Sequence, residues 1–339
     1  MDKVRWGILG VATIALKRVI PAMKLTANSV VTAIASRDLT RAKEGAAKAG
    51  VEKAYGSYEE LLADPSIEAI YNPLPNHMHV EWSIKAMDAG KHVLCEKPIS
   101  MNAKEAETLI SVRNRTGKMV EEAFAIRNHP QWPALREVID SGEVGAVKGV
   151  QTMLCLNSRD PNDIRNKADI GGGALYDLGS YAATGCRMVF NAEPLRAIGL
   201  FEIDPEFGTD RLTSAILEFP TGHANFIVSM QAGPTTGGTH QHLGIIGERG
   251  WIRADFPYSH AITSDCHIYI GDSGSLGFHH KRMLTFEPVN QYQLQAERFS
   301  KLVRGEKNVP QFPIELAVAN MRVIDALRRS RDSGKWENV

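Results

Sequence analysis

The spacing of hydrophobic positions changes character near residue 127. Before that point, short apolar and β-branched runs at Arg5 to Leu9, Val30 to Ser36, Ala69 to Asn72, His92 to Glu96 and Met119 to Ala123 have the texture of strands buried on both faces. Between them, Lys17 to Leu25, Leu39 to Ala49, Tyr58 to Leu62, His79 to Ala89 and Ala103 to Thr116 place apolar residues at three- and four-residue intervals, the pattern of helices with one buried face. Such alternation predicts a doubly wound parallel sheet. Beyond residue 127, strand-like runs at Val147 to Leu156, Arg196 to Ile203, Arg211 to Phe219, His223 to Met230, Gln241 to Gly247 and Gly250 to Ala254 are divided by Gly and Pro turns and predict one large, mostly antiparallel sheet. Helices are expected at Pro133 to Ser141, Ala174 to Phe190, Gln291 to Arg304 and Ile314 to Ser333. The expected fold is therefore α/β. A doubly wound domain covers residues 1–126, and an α+β domain with an open sheet covers 127–339, with its last helix returning to the first domain.

Composition narrows the functional classes. With 43% hydrophobic and 23% charged residues in 339, the chain has the balance of a globular enzyme rather than of a disordered or fibrous protein. Lys+Arg and Asp+Glu number 39 each, so no net field draws the molecule to nucleic acid or an anionic membrane. Neither is expected as a partner. Cys95, Cys155, Cys186 and Cys266 lie far apart and form no C-x-x-C, which argues against a zinc knuckle or a disulfide framework and suits a reducing cytoplasm. The N-terminal Lys3 and Arg5 followed by Gly7 to Ala12 resemble the start of a signal peptide, but the run is short, meets Lys17 and Arg18, and lacks an A-x-A site. No stretch reaches the roughly 18 apolar residues of a membrane helix, so a soluble, cytoplasmic protein is expected.

The first βα junction reads G-x-A-x-x-A from Gly10, through Ala12, Thr13 and Ile14 to Ala15, where a dinucleotide fingerprint has G-x-G-x-x-G/A. Small residues are needed there because the backbone must approach a pyrophosphate, whose charge is met by unpaired N–H groups at a helix start. At the end of the second strand an NAD site would show Asp or Glu for the ribose 2′-hydroxyl, but the chain reads Ser36-Arg37-Asp38. A hydroxyl and a guanidinium suit a 2′-phosphate, so NADP is the favoured cofactor, with NAD as the other possibility. The bland alternative has Arg37 in solvent or paired with Asp38. Since ligands of open α/β sheets bind outside the carboxyl ends of the strands, the site is expected between the domains.

A lysine follows the strand at His92 in Cys95-Glu96-Lys97-Pro98, an uncommon place for a side chain that prefers water. Together with Gly7 to Ala15, Asn72-Pro73-Leu74-Pro75-Asn76, Ala89 to Val93 and Gly171 to Tyr181, this run makes the chain resemble, over essentially its whole length, the glucose-fructose oxidoreductase and inositol dehydrogenase (Gfo/Idh/MocA) family. The resemblance implies a Rossmann domain, a C-terminal domain whose open sheet forms a homodimer or homotetramer interface, and hydride transfer between a nicotinamide and a small sugar or polyol. It makes Lys97 the catalytic lysine, places Glu96 beside the cofactor and makes Arg165 a nicotinamide-side arginine; Leu74 and Pro75 are expected at the cofactor, and Asn76 and His79 near the nicotinamide or substrate. Where many members carry Asp, then Gly and His, this chain has Asp177 and Tyr181 and no histidine in that helix. That resembles the tyrosine branch, with glucose-fructose oxidoreductase, dihydrodiol dehydrogenase and NADP-dependent D-xylose dehydrogenase. The N-terminal arm over the cofactor of glucose-fructose oxidoreductase has no counterpart ahead of Arg5, so exchangeable NADP is expected.

The chemistry of the residues agrees with that implication. Asp177 and Tyr181 stand four apart on a glycine-led helix and so share a face. Hydride transfer needs a group that takes or gives a hydroxyl proton. A tyrosine of pKa about 10 is roughly three units too weak a base at pH 7, a handicap near 4 kcal/mol that a neighbouring ammonium, Lys97, can offset in part. Asp177 would position a substrate hydroxyl or the lysine, and Arg127 is a further substrate-side candidate. The bland reading of Tyr181 is a core or interface tyrosine. His77-x-His79 lacks a third ligand, and His240-x-His242 and His279-His280 read as solvated surface, so no metal is expected. The expected reaction is NADP-dependent oxidation of an aldose at C1 to a lactone. A trans-dihydrodiol dehydrogenase and a ketosugar reductase are alternatives, and a non-catalytic NADP-binding regulator is the alternative of another class.

Overall fold

The structure is a computed structural model that describes residues 2–234, 238–259, 262–272 and 281–339. The chain divides into two compact units, residues 1–128 with 290–318 and residues 129–289 with 319–339.

The first unit is built on six parallel strands, β1 (Val4–Leu9), β2 (Ser29–Ala35), β3 (Lys53–Tyr55), β4 (Ala69–Asn72), β5 (His92–Cys95) and β6 (Val120–Glu122), in the order β3-β2-β1-β4-β5-β6. This is the Rossmann order, whose reversal between β1 and β4 opens a crevice at the strands' carboxyl ends. Trp6, Ile8, Tyr71 and Leu94 are fully buried in its core. Helix Leu39–Ala49 starts where it does because Asp38 Oδ1 accepts from the Thr40 and Arg41 amides at 2.8 and 3.2 Å, satisfying two amides that have no partner within the helix. One strand, Lys53–Tyr55, was not expected from the sequence; three half-buried residues are too few to show a period.

The return to this unit also differs from expectation. Segment 290–318 carries all of helix Gln291–Val303 but only the start of the last helix, Ile314–Ser333. Phe299 explains the difference: its ring lies 5.4 Å from that of Trp6, and the Trp6 indole donates to Ser300 Oγ at 3.2 Å. A fully buried anchor of that size fixes the earlier helix.

The second unit holds a nine-stranded sheet made of β7 (Val147–Cys155), β8 (Arg196–Ile203), β9 (Asp210–Phe219), β10 (Gly222–Ser229), β11 (His240–Gly247), β12 (Gly250–Ala254), β13 (Cys266–Asp272), β14 (Arg282–Phe286) and β15 (Glu337–Asn338). Among the described residues of this sheet, only the β7–β10 pair is parallel. Alternation divides the faces. Val150, Leu154, Leu217, Phe226, Val228, Leu243 and Ile245 are buried on one face, which helix Ser180–Phe190 covers, while Leu200, Ile216, Ile227 and Ile246 stand exposed on the other. The run at Cys266 alternates as a strand should, and it adds two places to the sheet with its partner at Arg282. Among the described residues, no helix is long and apolar enough to cross a membrane.

Candidate active site

In the first unit, the βα loop begins at Gly10, whose φ of +84° is open to glycine and strained for other residues. Its amide donates to the Ala35 carbonyl at 2.8 Å, tying the loop to the end of β2. Ala12, Thr13 and Ile14 follow, and a π-helical turn, Ala15–Val19, leads into helix Ile20–Lys24. Asp38 is occupied as a helix cap rather than as a partner of Arg37. Burial pushes the Tyr58 phenol's pKa up, and Arg37 and Arg41 both lie close enough to oppose that rise by favouring its ionised form. Two cations and a phenol thus surround the end of β2. Sequence reasoning missed Arg41 and Tyr58, since only folding brings the helix at Tyr58 to that strand end. Ser36 is buried, and its Oγ accepts from the Asp38 amide at 3.3 Å.

The ends of β4 and β5 carry the next group. Tyr71 is fully buried and donates to Glu96 Oε1 at 2.5 Å, while Glu96 Oε2 accepts from the Lys97 amide at 3.2 Å. Lys97 is half-buried, and the Lys97–Pro98 bond is cis. Leu74 is buried, whereas Pro75 and Asn76 are half-buried and open a turn that continues through Met78. His77 is exposed, but His79 is 1% exposed with Nδ1 2.8 Å from the Pro98 carbonyl and Nε2 2.6 Å from that of Leu74. It holds loops rather than facing a ligand, and this corrects its expected place near the nicotinamide or substrate. Arg127, the further substrate-side candidate, is 9% exposed with its guanidinium over Phe124 and Phe312 at 5.4 and 5.7 Å.

In the second unit, the expected helix at Ala174 opens with a π-helical turn, Leu175–Gly179, before helix Ser180–Phe190. Local π turns recur at functional sites. Asp177 lies in the turn and Tyr181 at the start of the helix, half-buried, with its ring 6.0 Å from that of the buried Tyr258. Tyr258 is anchored by a 2.7 Å hydrogen bond to Thr152. Arg165 is bound within this unit: Nε lies 2.8 Å from Asp177 Oδ2 and Nη1 3.4 Å from Asp163 Oδ1, and the two carboxylates hold the guanidinium pKa above its ordinary value. That pairing orients Asp177. The turn itself is anchored by Asp210, whose Oδ2 accepts from the Leu175 amide at 2.7 Å and from Thr213 Oγ1 at 2.6 Å. Neither Asp163 nor Asp210 was a candidate from sequence. His240 and His242 lie on β11 with rings 6.4 Å apart, His279-His280 falls outside the described residues, and among those described no cluster of three or more metal-type side chains occurs.

Comparison with known proteins fits this arrangement. Residues 4–124 match the oxidoreductase family with an NAD-binding Rossmann fold, and residues 132–253 match the GFO/IDH/MocA C-terminal domain. The chain belongs to the Gfo/Idh/MocA family and is an NAD(P)-dependent oxidoreductase. It is 45% identical to an uncharacterised oxidoreductase of Rhizobium meliloti, over 100% of both chains. It is also 34% identical to a D-xylose 1-dehydrogenase (NADP(+)) of Haloferax volcanii, covering 97% of this chain and 98% of that one. Among solved structures, a 3-ketoreductase from Actinomadura kijaniata in complex with TDP-benzene and NADP superposes with a TM-score of 0.86 at 26% identity, over 97% of this chain and 98% of that one.

Proposed function

We propose that the protein transfers hydride between NADP and a sugar or vicinal diol, with oxidation of an aldose at C1 to the lactone as the reaction. The observation that carries the cofactor choice is Ser36-Arg37 directly after β2, with Arg41 near by, in place of the acidic residue an NAD site uses there. Gly10, Ala12, Thr13 and Ile14 form a small-residue turn suited to a pyrophosphate, Ser36 and Arg37 suit the 2′-phosphate, and Leu74 to Asn76 with Glu96 line the strand ends. NADP, when bound, supplies the hydride acceptor. Tyr181 is assigned the proton of the reacting hydroxyl, Lys97 is the catalytic cation of the first unit, and Asp177, with Arg165 as its partner, positions the substrate. The NADP-dependent xylose dehydrogenase among the relatives supports this reading. In this chain the exposed aliphatic sheet face, Leu200, Ile216, Ile227 and Ile246, supports a homodimer or homotetramer through the second unit's sheet.

The test is absorbance at 340 nm with NADP or NAD across aldoses, inositols and aromatic dihydrodiols. Turnover of an aldose with NADP is expected. Tyr181→Phe and Lys97→Ala should each lower kcat by about 10²- to 10⁴-fold in folded protein, and Arg37→Glu should reverse the NADP to NAD preference. Turnover of dihydrodiols alone, or an unchanged cofactor ratio in Arg37→Glu, overturns the corresponding part of the reading.

A further inference from the structure

His79 joins two loops that the chain keeps 19 residues apart. Its ring is 1% exposed, with one nitrogen at the Leu74 carbonyl after β4 and the other at the Pro98 carbonyl after β5. The loop after β4 has further internal ties: Asn72 Nδ2 donates to the His79 carbonyl at 3.1 Å and to Ser83 Oγ at 3.3 Å, and Asn72 Oδ1 accepts from the Leu74 amide at 3.3 Å. The Glu96 amide donates to the Asn72 carbonyl at 3.0 Å, so backbone also links the two strand ends. The imidazole adds a side-chain link between Leu74 and Pro98 to that backbone one.

A carbonyl oxygen only accepts, so each contact needs a proton on the ring nitrogen that faces it. The imidazolium makes both at once, and either neutral tautomer makes one. Burial, with the neighbouring Lys97 ammonium adding to it, lowers the ring's pKa to about 4, so at neutral pH one proton serves the two acceptors.

We propose that His79 is a positioning residue, a staple that holds the Lys97 turn against the Leu74–Asn76 loop without itself touching substrate or cofactor. The proposal rests on the functional reading above in assigning Lys97 to chemistry and Leu74 to Asn76 to NADP. Its two contacts, each a hydrogen bond in one neutral tautomer, then have separable consequences. The Pro98 bond sets where the lysine turn stands and governs kcat, whereas the Leu74 bond sets the cofactor loop and governs NADP affinity.

Asn and Gln each reproduce one half of the staple, because an Asn amide nitrogen falls near a histidine Nδ1 and a Gln amide nitrogen near Nε2. His79→Asn should therefore retain kcat and raise the NADP Kd about tenfold, the worth of roughly one hydrogen bond. His79→Gln should do the reverse, and His79→Ala should do both. NADP affinity is read by titration without turnover, and amide hydrogen exchange at Leu74, Met78 and Ile99 reports the loops independently of activity. Faster exchange at Leu74 and Met78 in the Asn variant and at Ile99 in the Gln variant is expected. Equal effects of the two variants on Kd and kcat, or exchange unchanged in His79→Ala, would overturn the staple. Should the variants not fold, the unmodified protein still decides: a slowly exchanging imidazole N–H proton on His79 supports the proposal, and a ring that trades its proton freely with water refutes it. If the unmodified protein neither binds NADP nor turns over a sugar, the functional reading fails while the exchange and imidazole measurements still judge the staple.

Discussion

Gly173 precedes the π turn that carries Asp177, with φ at +114°, and a Cβ added there would collide with Asp210 Oδ1. Gly173→Ala therefore imposes two costs. The backbone conformation is one that L residues rarely adopt, at about 1–3 kcal/mol. Relieving the collision displaces a carboxylate that accepts from the Leu175 amide and the Thr213 hydroxyl, at about 1–3 kcal/mol more. The sum, roughly 2–6 kcal/mol, corresponds to a fall in Tm of about 4–24 °C for a domain of this size. Thermal unfolding of Gly173→Ala, Asp210→Ala and the double variant checks the cause. With Asp210 removed only the backbone cost remains, so the glycine substitution should cost about 1–3 kcal/mol less in that background. Equal cost in both backgrounds refutes the collision, and an unchanged Tm in Gly173→Ala refutes both terms. Because the Leu175 amide that loses its acceptor belongs to the turn that leads to Tyr181, kcat should fall further than a loss of folded protein explains.

Asp210 also sets a pH dependence. Burial raises its pKa from 3.8 to about 6 against the opposing Thr213 and Leu175 bonds, so the folded protein binds more protons than the unfolded chain between those values. Stability should fall as pH rises from about 4 to 6 and level off above, and denaturant titrations of Asp210→Asn across that range should lose this slope. Tyr71→Phe removes the hydroxyl that holds Glu96, a charge-assisted bond worth about 1.5–3 kcal/mol, and should raise the NADP Kd while leaving secondary structure intact by circular dichroism. Arg298 and Glu121 form an ion pair at 2.5 Å with side chains 10% and 6% exposed, so Arg298→Ala strands a buried carboxylate and should cost about 3–5 kcal/mol in thermal or denaturant unfolding, whereas an effect below 1 kcal/mol would contradict its burial.

Local pattern was enough for much of this protein. Two-sided burial of the strands at Arg5, Val30, Ala69 and His92, divided by amphipathic helices, leaves few arrangements other than a parallel sheet, and both expected halves of the fold are present. The first βα turn was legible because the demands on Gly10 are met within a few adjacent residues. Likewise, Lys97 stood out because a cation at a core strand's end is chemically conspicuous in one dimension.

What depends on distant residues was decided only in three dimensions. Nothing beside Arg37 in the chain announces Tyr58, nothing near Gly173 announces Asp210, and an arginine at position 127 reads the same whether it faces solvent or lies over two phenylalanine rings. His79 shows the limit most plainly. A histidine after a turn suggests a ligand-facing group, yet its role here depends on two carbonyls that belong to different strand ends. Backbone carbonyls occur at every residue and carry no sequence signal, so only the tertiary structure could say which of them a buried imidazole meets.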